Sequence, residues 1–264
     1  MEPARIAELL QPFVGSANDQ QLTTNDLLNI STYIDLLLLW NARINLTAIR
    51  KEEDIVTRHF GESLFAARHL FPRVARAPSP VGVAHTNFTP SANVLRLIDV
   101  GSGAGFPGLP IKIWAPGLNL TLIESTQKKA TFLREVTRTL TLMNINVFQG
   151  RAEAYPNPPA DVVTLRAVER FESALPIAAN LVAPKGRLAL LISEPQLDRA
   201  KDLTSGFAWG PPLPIPLSAN RILAIGVKSQ TSSTKLVNQR ANPSLEVESG
   251  KTSQETSRTS FPDK

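Results

Sequence analysis

A short apolar run followed by a glycine-rich turn constrains the fold of this chain more than any other segment. Residues 94–100 are rich in Leu, Ile and Val, and the run ends before Gly101, Gly103 and Gly105. A new apolar segment then begins, so the pattern predicts a buried parallel strand, a glycine turn and a helix. Open α/β sheets bind nucleotide-like ligands at such a turn, and glycine lets the backbone approach the ligand because it carries no Cβ.

The composition excludes several kinds of chemistry. The 264 residues include no cysteine, which rules out disulfides, thiolate metal sites and a cysteine nucleophile. With three histidines and no close pair among them, we expect no metal site. No segment approaches the roughly 18 apolar residues of a membrane span, and the first residues lack the pattern of a signal peptide. We therefore expect a cytoplasmic protein with no membrane partner. A monomer is also expected, although the sequence leaves the oligomeric state open.

The positive charge is concentrated in the central part of the chain. The formal net charge is +5, while residues 76–228 alone carry +6. A domain that binds a polyanion is expected to show such an excess, but a solvated basic surface has the same composition. Charge alone leaves both interpretations open.

Four parts differ in their sequence pattern. Residues 1–75 place apolar positions at helical spacing behind capping residues, which predicts an N-terminal helical extension. Residues 76–93 contain three prolines and scattered small polar residues, which predicts a flexible linker. Strand and helix patterns alternate over residues 94–228, which predicts a mostly parallel sheet. Residues 229–264 are rich in Ser and Thr and poor in apolar residues, which predicts a disordered tail.

The alternation within the predicted sheet domain also places the individual elements. The strands are expected near residues 94–100, 118–124, 145–148, 161–166, 187–192, 206–217 and 221–227, with helices near 108–115 and 126–142 and a third that ends near 181. Four prolines within residues 206–217 predict an irregular or edge strand there.

Two classes of ligand compete for the glycine turn. Residues 103–108 match G-x-G-x-x-G, the dinucleotide pattern of NAD(P)-dependent oxidoreductases, and Glu124 follows at the end of the next strand. When the pattern is counted from Gly101, however, its third glycine position holds Phe106. Pro107 also has no N–H group to offer a pyrophosphate. The sequence therefore disfavours a dinucleotide without excluding it.

Residues 99–105, Asp-x-Gly-x-Gly-x-Gly, resemble motif I of the class I S-adenosylmethionine-dependent methyltransferases. This resemblance implies a Rossmann-like α/β fold with a seven-stranded, mostly parallel sheet, and S-adenosylmethionine as the cofactor. It implies that Gly101 and Gly103 let the backbone approach the methionine part of the cofactor. It also implies that Glu124 accepts hydrogen bonds from both ribose hydroxyls. Asp99 would either orient the loop or reach the cofactor's amino group.

Further short motifs follow one another in a characteristic order. They are Trp40-Asn-x-x-x-Asn45-Leu-Thr47, Arg58-His59 with Glu62-Ser63, residues 99–110, Arg151-Ala-Glu153 and Arg166-Ala167. Together they resemble the RsmG family, also called glucose-inhibited division protein B, whose members methylate guanine N7 in 16S rRNA. The resemblance covers about residues 30–228 and implies 16S rRNA or the small ribosomal subunit as the partner. This chain departs from the family in Glu62, where Asp is usual, and in Ile192-Ser193, where Lys-Gly is common.

The resemblance also implies roles for single residues. The implied cofactor site contains Asp99, Gly101, Gly103, Phe106, Glu124, Ser125, Ala152, Glu153 and Arg166, and Arg166 at the end of the fourth strand is also the candidate catalytic residue. Arg58 and His59 are implied to contact RNA or the cleft. Lys128 and Lys129 begin a basic helix that is equally a solvated face or a phosphate-binding face. Residues 45–47 also fit a simple cap of the following segment.

Methylation of guanine N7 is compatible with these residues. The N7 atom carries a free lone pair, so no general base is needed, and the site has chiefly to align N7, the methyl carbon and the sulfur. The absence of cysteine closes the covalent route of many pyrimidine C5 methyltransferases. The alternative hypothesis that does not involve an enzyme is a noncatalytic rRNA-binding protein.

Overall fold

A computed structural model describes residues 1–15, 21–72, 94–167 and 170–230. Met1–Gln230 form one compact unit. The predicted linker over residues 76–93 lies outside the described residues, as does the predicted tail beyond residue 230. In the part of the chain that the structure describes, no helix is long and apolar enough to cross a membrane.

The first part of the described chain is helical. Its elements are α1 (Pro3–Val14), α2 (Thr24–Asn41), α3 (Glu52–Asp54), a π-helical segment (Ile55–Gly61) and α4 (Glu62–Leu70). The beginning of α2 is fixed by a capping box. The Thr23 hydroxyl accepts a hydrogen bond from the Asp26 N–H at 3.1 Å, and the Asp26 carboxylate accepts one from the Thr23 N–H at 2.9 Å. The sequence pattern indicates this capped start but gives no separate signal for α1 or for the π-helical turn.

A twisted sheet forms the second part. Its strands are β1 (Arg96–Val100), β2 (Asn119–Glu124), β3 (Ile145–Gln149), β4 (Ala160–Arg166), β5 (Val182–Ser193), β6 (Phe207–Trp209), β7 (Leu213–Pro214) and β8 (Arg221–Lys228). The order is β3-β2-β1-β4-β5-β8-β6, with β7 paired to β8. The first five strands along this path are parallel, and β8 is antiparallel to its neighbours. The predicted α/β fold with a mostly parallel sheet is thus confirmed. The strand expected near residues 206–217 is divided into β6 and the two-residue β7, so the sheet has eight strands.

Helices cover both faces of the sheet. They are α5 (Gly108–Trp114), α6 (Gln127–Thr139), α7 (Phe171–Asn180) and α8 (Gln196–Leu203). Successive strand residues face opposite sides, so Leu97 of β1 packs with α5, α6 and the N-terminal helices, whereas Ile98 and Val100 pack with α7 and α8. The N-terminal helices thereby share one core with the sheet. The division of the chain into domains at residues 75 and 94 stays a prediction.

The direction of the strands determines where a ligand can lie. Strand β1 lies between β2 and β4, so the chain crosses to opposite sides of β1 and leaves a crevice at the carboxyl ends of these strands. Asp99 of β1 is the register partner of Thr164 of β4. Because Arg166 follows Thr164 by two residues, it emerges on the same face, which the N-terminal helices cover.

Candidate active site

A cavity of about 820 Å³ opens at the carboxyl ends of β1, β2, β3 and β4. Among the predicted site residues, those that line it are His59, Gly101, Gly103, Phe106, Glu124, Ser125, Lys129, Ala152, Glu153 and Arg166. Asp99, Arg58 and Lys128 are not part of the lining. The cavity therefore joins the glycine loop, the ends of β2 and β4 and the π-helical segment in one site.

Two glycines of the loop serve different purposes. Gly103 has φ +56°, and a Cβ added to it would meet only the Gly101 carbonyl oxygen, at 3.8 Å. The space beside Gly103 is therefore open for a ligand. A Cβ on Gly105, in contrast, would lie 2.6 Å from Leu109 Cδ1 and against the Tyr33 hydroxyl, which donates a hydrogen bond to the Ala104 carbonyl. Gly105 thus lets α2 pack on the loop.

Glu124 is a fixed acceptor in the cavity wall. Its buried carboxylate accepts hydrogen bonds from the Gly103 N–H, at 2.9 Å, and from the Thr126 N–H, at 2.7 Å. Each of these two hydrogen bonds occupies one lone-pair site on a different carboxylate oxygen, and a carboxylate has about four such sites. Glu124 can therefore accept further hydrogen bonds from hydroxyl groups of a ligand.

Asp99 lies beneath the glycine loop. Its fully buried carboxylate accepts hydrogen bonds from the Thr164 hydroxyl, at 2.7 Å, and from the Gly108 N–H, at 3.2 Å. Of the two roles that the sequence leaves open for Asp99, this geometry supports orientation of the loop. Burial in a medium of low dielectric raises the pKa of Asp99 to about 6, although its hydrogen bonds oppose the shift.

The beginning of α5 does not suit a dinucleotide. The Gly108 N–H donates to Asp99, and the Leu109 N–H donates to the Gly105 carbonyl at 2.8 Å. Pro107 has no N–H group. A pyrophosphate is usually bound by free N–H groups at this position, and these three residues offer none. The geometry therefore disfavours an NAD(P)-dependent oxidoreductase.

The raised pKa of Asp99 predicts a pH-dependent effect of Asp99→Asn on stability. The pKa of this carboxyl is about 6 in the folded chain, against an ordinary value of 3.8. As the pH rises from about 4 to 6, the unfolded chain loses a proton that the folded chain retains, so folding becomes less favourable. We expect the variant to gain about 3 kcal/mol in free energy of unfolding relative to the wild type across this range.

Urea unfolding at several pH values between 4 and 7 measures this difference. The asparagine can keep both contacts, because the Thr164 hydroxyl can turn to accept a hydrogen bond from the amide. Asp198→Asn, at a side chain that is 95% exposed, controls for removal of a carboxylate. A constant difference between Asp99→Asn and the wild type across the pH range would contradict the prediction.

Arg166 lines the cavity and is hydrogen-bonded to the N-terminal helices. Its Nη2 donates hydrogen bonds to Glu62 Oε2, at 3.0 Å, and to the Arg58 carbonyl, at 2.7 Å. The guanidinium carbon lies 5.9 Å from the centroid of the Phe106 ring. Among the described residues, the buried Nε of Arg166 has no hydrogen-bond partner. This N–H is thus enclosed without an acceptor, while the side chain as a whole borders the cavity.

Glu62 joins two arginines from distant strands. Its side chain is 4% exposed, and Oε1 lies 2.9 Å from Nε of Arg221 on β8, while Oε2 contacts Arg166 on β4. The sequence singles out Glu62 only as a departure from the family pattern. It gives no signal for Arg221, because nothing local to β8 indicates that its first residue reaches α4.

His59 of the π-helical segment is held on three sides. Its ring stacks on Phe106 with centroids 4.7 Å apart, Nε2 lies 2.7 Å from the Thr47 hydroxyl oxygen, and Nδ1 lies 3.2 Å from Nη2 of Arg166. Burial and, to a smaller extent, the positive charges of Arg166, Arg58 and Arg221 lower the pKa of His59 to about 3. The imidazole is therefore neutral at physiological pH.

The remaining predicted residues lie at the rim or outside it. Ser125 and Glu153 are exposed at the cavity rim, and Ala152 and Lys129 are half-buried there. Lys128 is exposed beside the rim, and Arg58 uses its backbone carbonyl, rather than its side chain, toward Arg166. The structure adds Thr47, Arg151 and Arg170 to the lining. The sequence contains Thr47 and Arg151 within the family motifs, but it gives no signal for Arg170.

The sequence profile of one family, rRNA small subunit methyltransferase G, matches residues 26–76 and 83–207. The chain belongs to the rRNA small subunit methyltransferase G family. This confirms the resemblance found in the sequence. The matched residues include both walls of the cavity, from Thr47 and His59 to the glycine loop, Glu124 and Arg166.

Curated members of the rRNA small subunit methyltransferase G family are similar to more than half of this chain. The protein of that name from Roseiflexus castenholzii is 43% identical in an alignment of 162 positions that covers 57% of this chain and 61% of the relative. That from Chloroflexus aggregans is 42% identical over 167 residues, 59% of this chain and 62% of the relative. The match thus spans about three-fifths of the length of these two relatives. That from Streptococcus pyogenes serotype M5 is 35% identical over 179 residues, 65% of this chain and 68% of the relative.

Among solved structures, P. horikoshii TYW2 in complex with MeSAdo is 18% identical, with a TM-score of 0.44 over 52% of this chain and 58% of that chain. This likeness is too slight to bear on function.

Proposed function

We propose that this chain transfers the methyl group of S-adenosylmethionine to N7 of a guanine in 16S rRNA. The observation that carries the proposal is that the family match includes both walls of the cavity, residues 26–76 and 83–207. The relatives reported above are named ribosomal RNA small subunit methyltransferase G. We place the reaction in the cytoplasm, on naked rRNA or on the small subunit.

The residues of the cavity fit S-adenosylmethionine. Glu124 has lone pairs free for the ribose hydroxyls, the space beside Gly103 admits the methionine part, and the positively charged Arg166, which lines the cavity, can attract its carboxylate. Ala152 and Glu153, in the loop after β3, would border the adenine, with Ser125 and Phe106 completing the wall. When bound, this cofactor supplies an electrophilic methyl group on a positively charged sulfur.

The work of the chain in this reaction is positioning. Guanine N7 already carries a free lone pair, so no side chain has to remove a proton. Neither His59, whose two ring nitrogens are both engaged, nor Asp99, which lies outside the cavity, is placed as a base. Holding N7 in line with the reacting carbon contributes several kcal/mol, about 7–11 in the best-oriented cases. Arg166 would act here by binding the cofactor's carboxylate. It would also hold His59 and Phe106, whose rings stack, in position.

Basic side chains at the rim suit an RNA substrate. Lys129, Arg151 and Arg170 line the cavity, and Lys128 is exposed next to it. We propose that they contact phosphates, together with the exposed Arg58 of the π-helical segment. Binding should weaken as the salt concentration rises, because the release of counterions from the RNA then contributes less free energy. Attack by a neutral nitrogen on a sulfonium methyl group needs no Lewis acid, so we propose no metal. We also propose that the chain acts as a monomer.

The direct test uses methyl-labelled S-adenosylmethionine and small subunits from a strain that lacks the corresponding methyltransferase. We expect label in the 16S rRNA and, after reduction and aniline treatment, one new cleavage site, because aniline cleaves the chain at N7-methylguanine. Label without cleavage would contradict the N7 assignment. Binding of the cofactor and of rRNA without label would favour the noncatalytic RNA-binding alternative. Thermal stabilisation by NAD(P) rather than by S-adenosylmethionine would favour an oxidoreductase.

A further inference from the structure

The hydroxyl group of Thr47 has an unusual set of neighbours for a residue that lines the cavity. Its oxygen accepts a hydrogen bond from the Ile49 N–H at 3.1 Å and lies 2.7 Å from Nε2 of His59. The side chain is half-buried in the wall formed by the N-terminal helices. The direction of the hydrogen bond to His59 decides what Thr47 can offer a ligand.

Arg166 fixes the tautomer of His59. Nη2 of the guanidinium carries only two N–H groups, and these are shared among Glu62, the Arg58 carbonyl and Nδ1 of the imidazole, which lies 3.2 Å away. A proton on Nδ1 would face these donors, so the arrangement favours a lone pair on Nδ1. A neutral imidazole then has its single proton on Nε2, and this N–H donates to Thr47. The low pKa of His59, about 3, is consistent with a ring that stays neutral.

Thr47 consequently accepts two hydrogen bonds, one from His59 and one from Ile49. A hydroxyl oxygen has two lone pairs, and both are occupied. Its own proton must therefore point in a third direction, and the described residues provide no acceptor for it. Thr47 is thus prepared as a donor, and not as an acceptor, in the wall of the cavity.

The order of the strands indicates which part of the substrate pair meets this donor. Strands β3, β2, β1 and β4 are neighbours in that order, so the carboxyl ends of β3 and β4 lie about 14 Å apart. Glu124 at the end of β2 and Glu153 after β3 assign the adenosine part of the cofactor to one end. Arg166 ends β4, and His59 and Thr47 adjoin it at the other end. Beside the cofactor's carboxylate at Arg166, that end has room for the base that receives the methyl group.

We propose that the Thr47 hydroxyl donates a hydrogen bond to O6 of the target guanine, and that His59 and Arg166 act as positioning residues for it. This inference rests on the proposed function. Guanine presents N7 and O6 as neighbouring acceptors, whereas adenine presents an amino donor in place of O6. A hydroxyl whose two lone pairs are both occupied can donate a hydrogen bond to O6 of guanine. The amino group of adenine is itself a donor, so it would face a second donor and find no acceptor.

A neutral donor also suits the reaction. Methyl transfer moves positive charge from the sulfur to the purine, so a cation in direct contact with O6 would oppose the transition state. The hydroxyl of Thr47 and the neutral His59 carry no net charge, so the group proposed to contact O6 places no cation in direct contact with it.

The experiment compares Thr47→Val, which keeps the shape but lacks the hydroxyl, with Thr47→Ser, which keeps the hydroxyl. Each is assayed on small subunits that carry guanine or 2-aminopurine at the methylated position, since 2-aminopurine retains N7 but lacks O6. We expect kcat/KM of the wild type and of Thr47→Ser to fall about 10- to 100-fold on the change to 2-aminopurine. The kcat/KM of Thr47→Val on guanine should be lower than that of the wild type by a similar factor. It should fall little further when guanine is replaced by 2-aminopurine. The affinity of Thr47→Val for S-adenosylmethionine, measured by calorimetry, should be unchanged.

Several results would overturn this assignment. Equal kcat/KM of the wild type on the two bases would show that O6 is not read, whether or not the valine variant folds. An undiminished base preference in Thr47→Val would show that another group reads O6. Parallel losses of activity and cofactor affinity in Thr47→Val would assign the hydroxyl to the cofactor instead. If the wild type transfers no methyl group to guanine, the proposed function fails, and the proposal for Thr47 fails with it.

Discussion

Replacing Glu62 by glutamine is expected to lower the free energy of unfolding by about 3–5 kcal/mol, the usual cost of removing one partner from a buried ion pair. Glu62 is 4% exposed and is bound by Arg166, which is 9% exposed, and by Arg221, which is 22% exposed. An amide can present its oxygen to only one of the two arginines and its NH₂ group to the other. One buried guanidinium would then face a donor. Urea unfolding at neutral pH measures the loss.

The chain contains a matched control for this substitution. Glu53 accepts a hydrogen bond from Arg5 at 2.7 Å, but these side chains are 59% and 43% exposed. Glu53→Gln should therefore cost less than about 1 kcal/mol, because water screens an exposed pair. Equal small losses in both variants would show that the Glu62 cluster does not stabilise the fold. Glu62→Asp, which restores the residue usual in the family, should cost less than Glu62→Gln because it keeps the negative charge.

Gly103→Val is expected to weaken the binding of S-adenosylmethionine by at least about 100-fold, or roughly 2.7 kcal/mol. The new side chain would project into the space that the cavity leaves beside Gly103. Valine at φ +56° also costs about 1–2 kcal/mol in backbone strain, so the loop itself would tend to shift. Calorimetric titration with S-adenosylmethionine gives the affinity directly.

Two further glycine variants separate binding from folding. Gly105→Val should reduce thermal stability, because its Cβ would lie 2.6 Å from Leu109 Cδ1 in the packed core. Gly206→Val should change neither property, since nothing lies within 4 Å of a Cβ at that position. If Gly103→Val binds the cofactor as tightly as the wild type does, the glycine loop is not the cofactor site.

Local pattern was sufficient to predict the sheet and one wall of the cavity. The strand before Gly101, the turn itself and Glu124 at the end of the next strand are set by short-range spacing, because parallel strands bring their carboxyl ends to one edge. The alternation of β1 likewise places Asp99 on the face of Leu97. It does not reveal whether the carboxylate enters the cavity or, as observed, lies beneath the loop.

The other wall depends on contacts between distant segments. Thr47 does bond the N–H of Ile49, as a local cap would, yet the same oxygen also meets His59 of the π-helical segment. Likewise, the pairing of Glu62 with Arg221 joins α4 to β8. Neither contact has a periodic signature in the sequence, because each arises only when the N-terminal helices pack against the sheet. The roles of the individual site residues therefore stay predictions, to be tested by the variants above.

The core shared by the N-terminal helices and the sheet bears on how such an enzyme could be re-engineered. A chain shortened to begin at residue 94 would uncover the apolar side of α5 and α6 and lose Tyr33 from the glycine loop. The helical part is therefore no interchangeable recognition module that could be grafted onto another methyltransferase. If His59 and Arg166 act as proposed, a new target base would have to be selected by substitutions around these two residues, where the helical part meets the sheet.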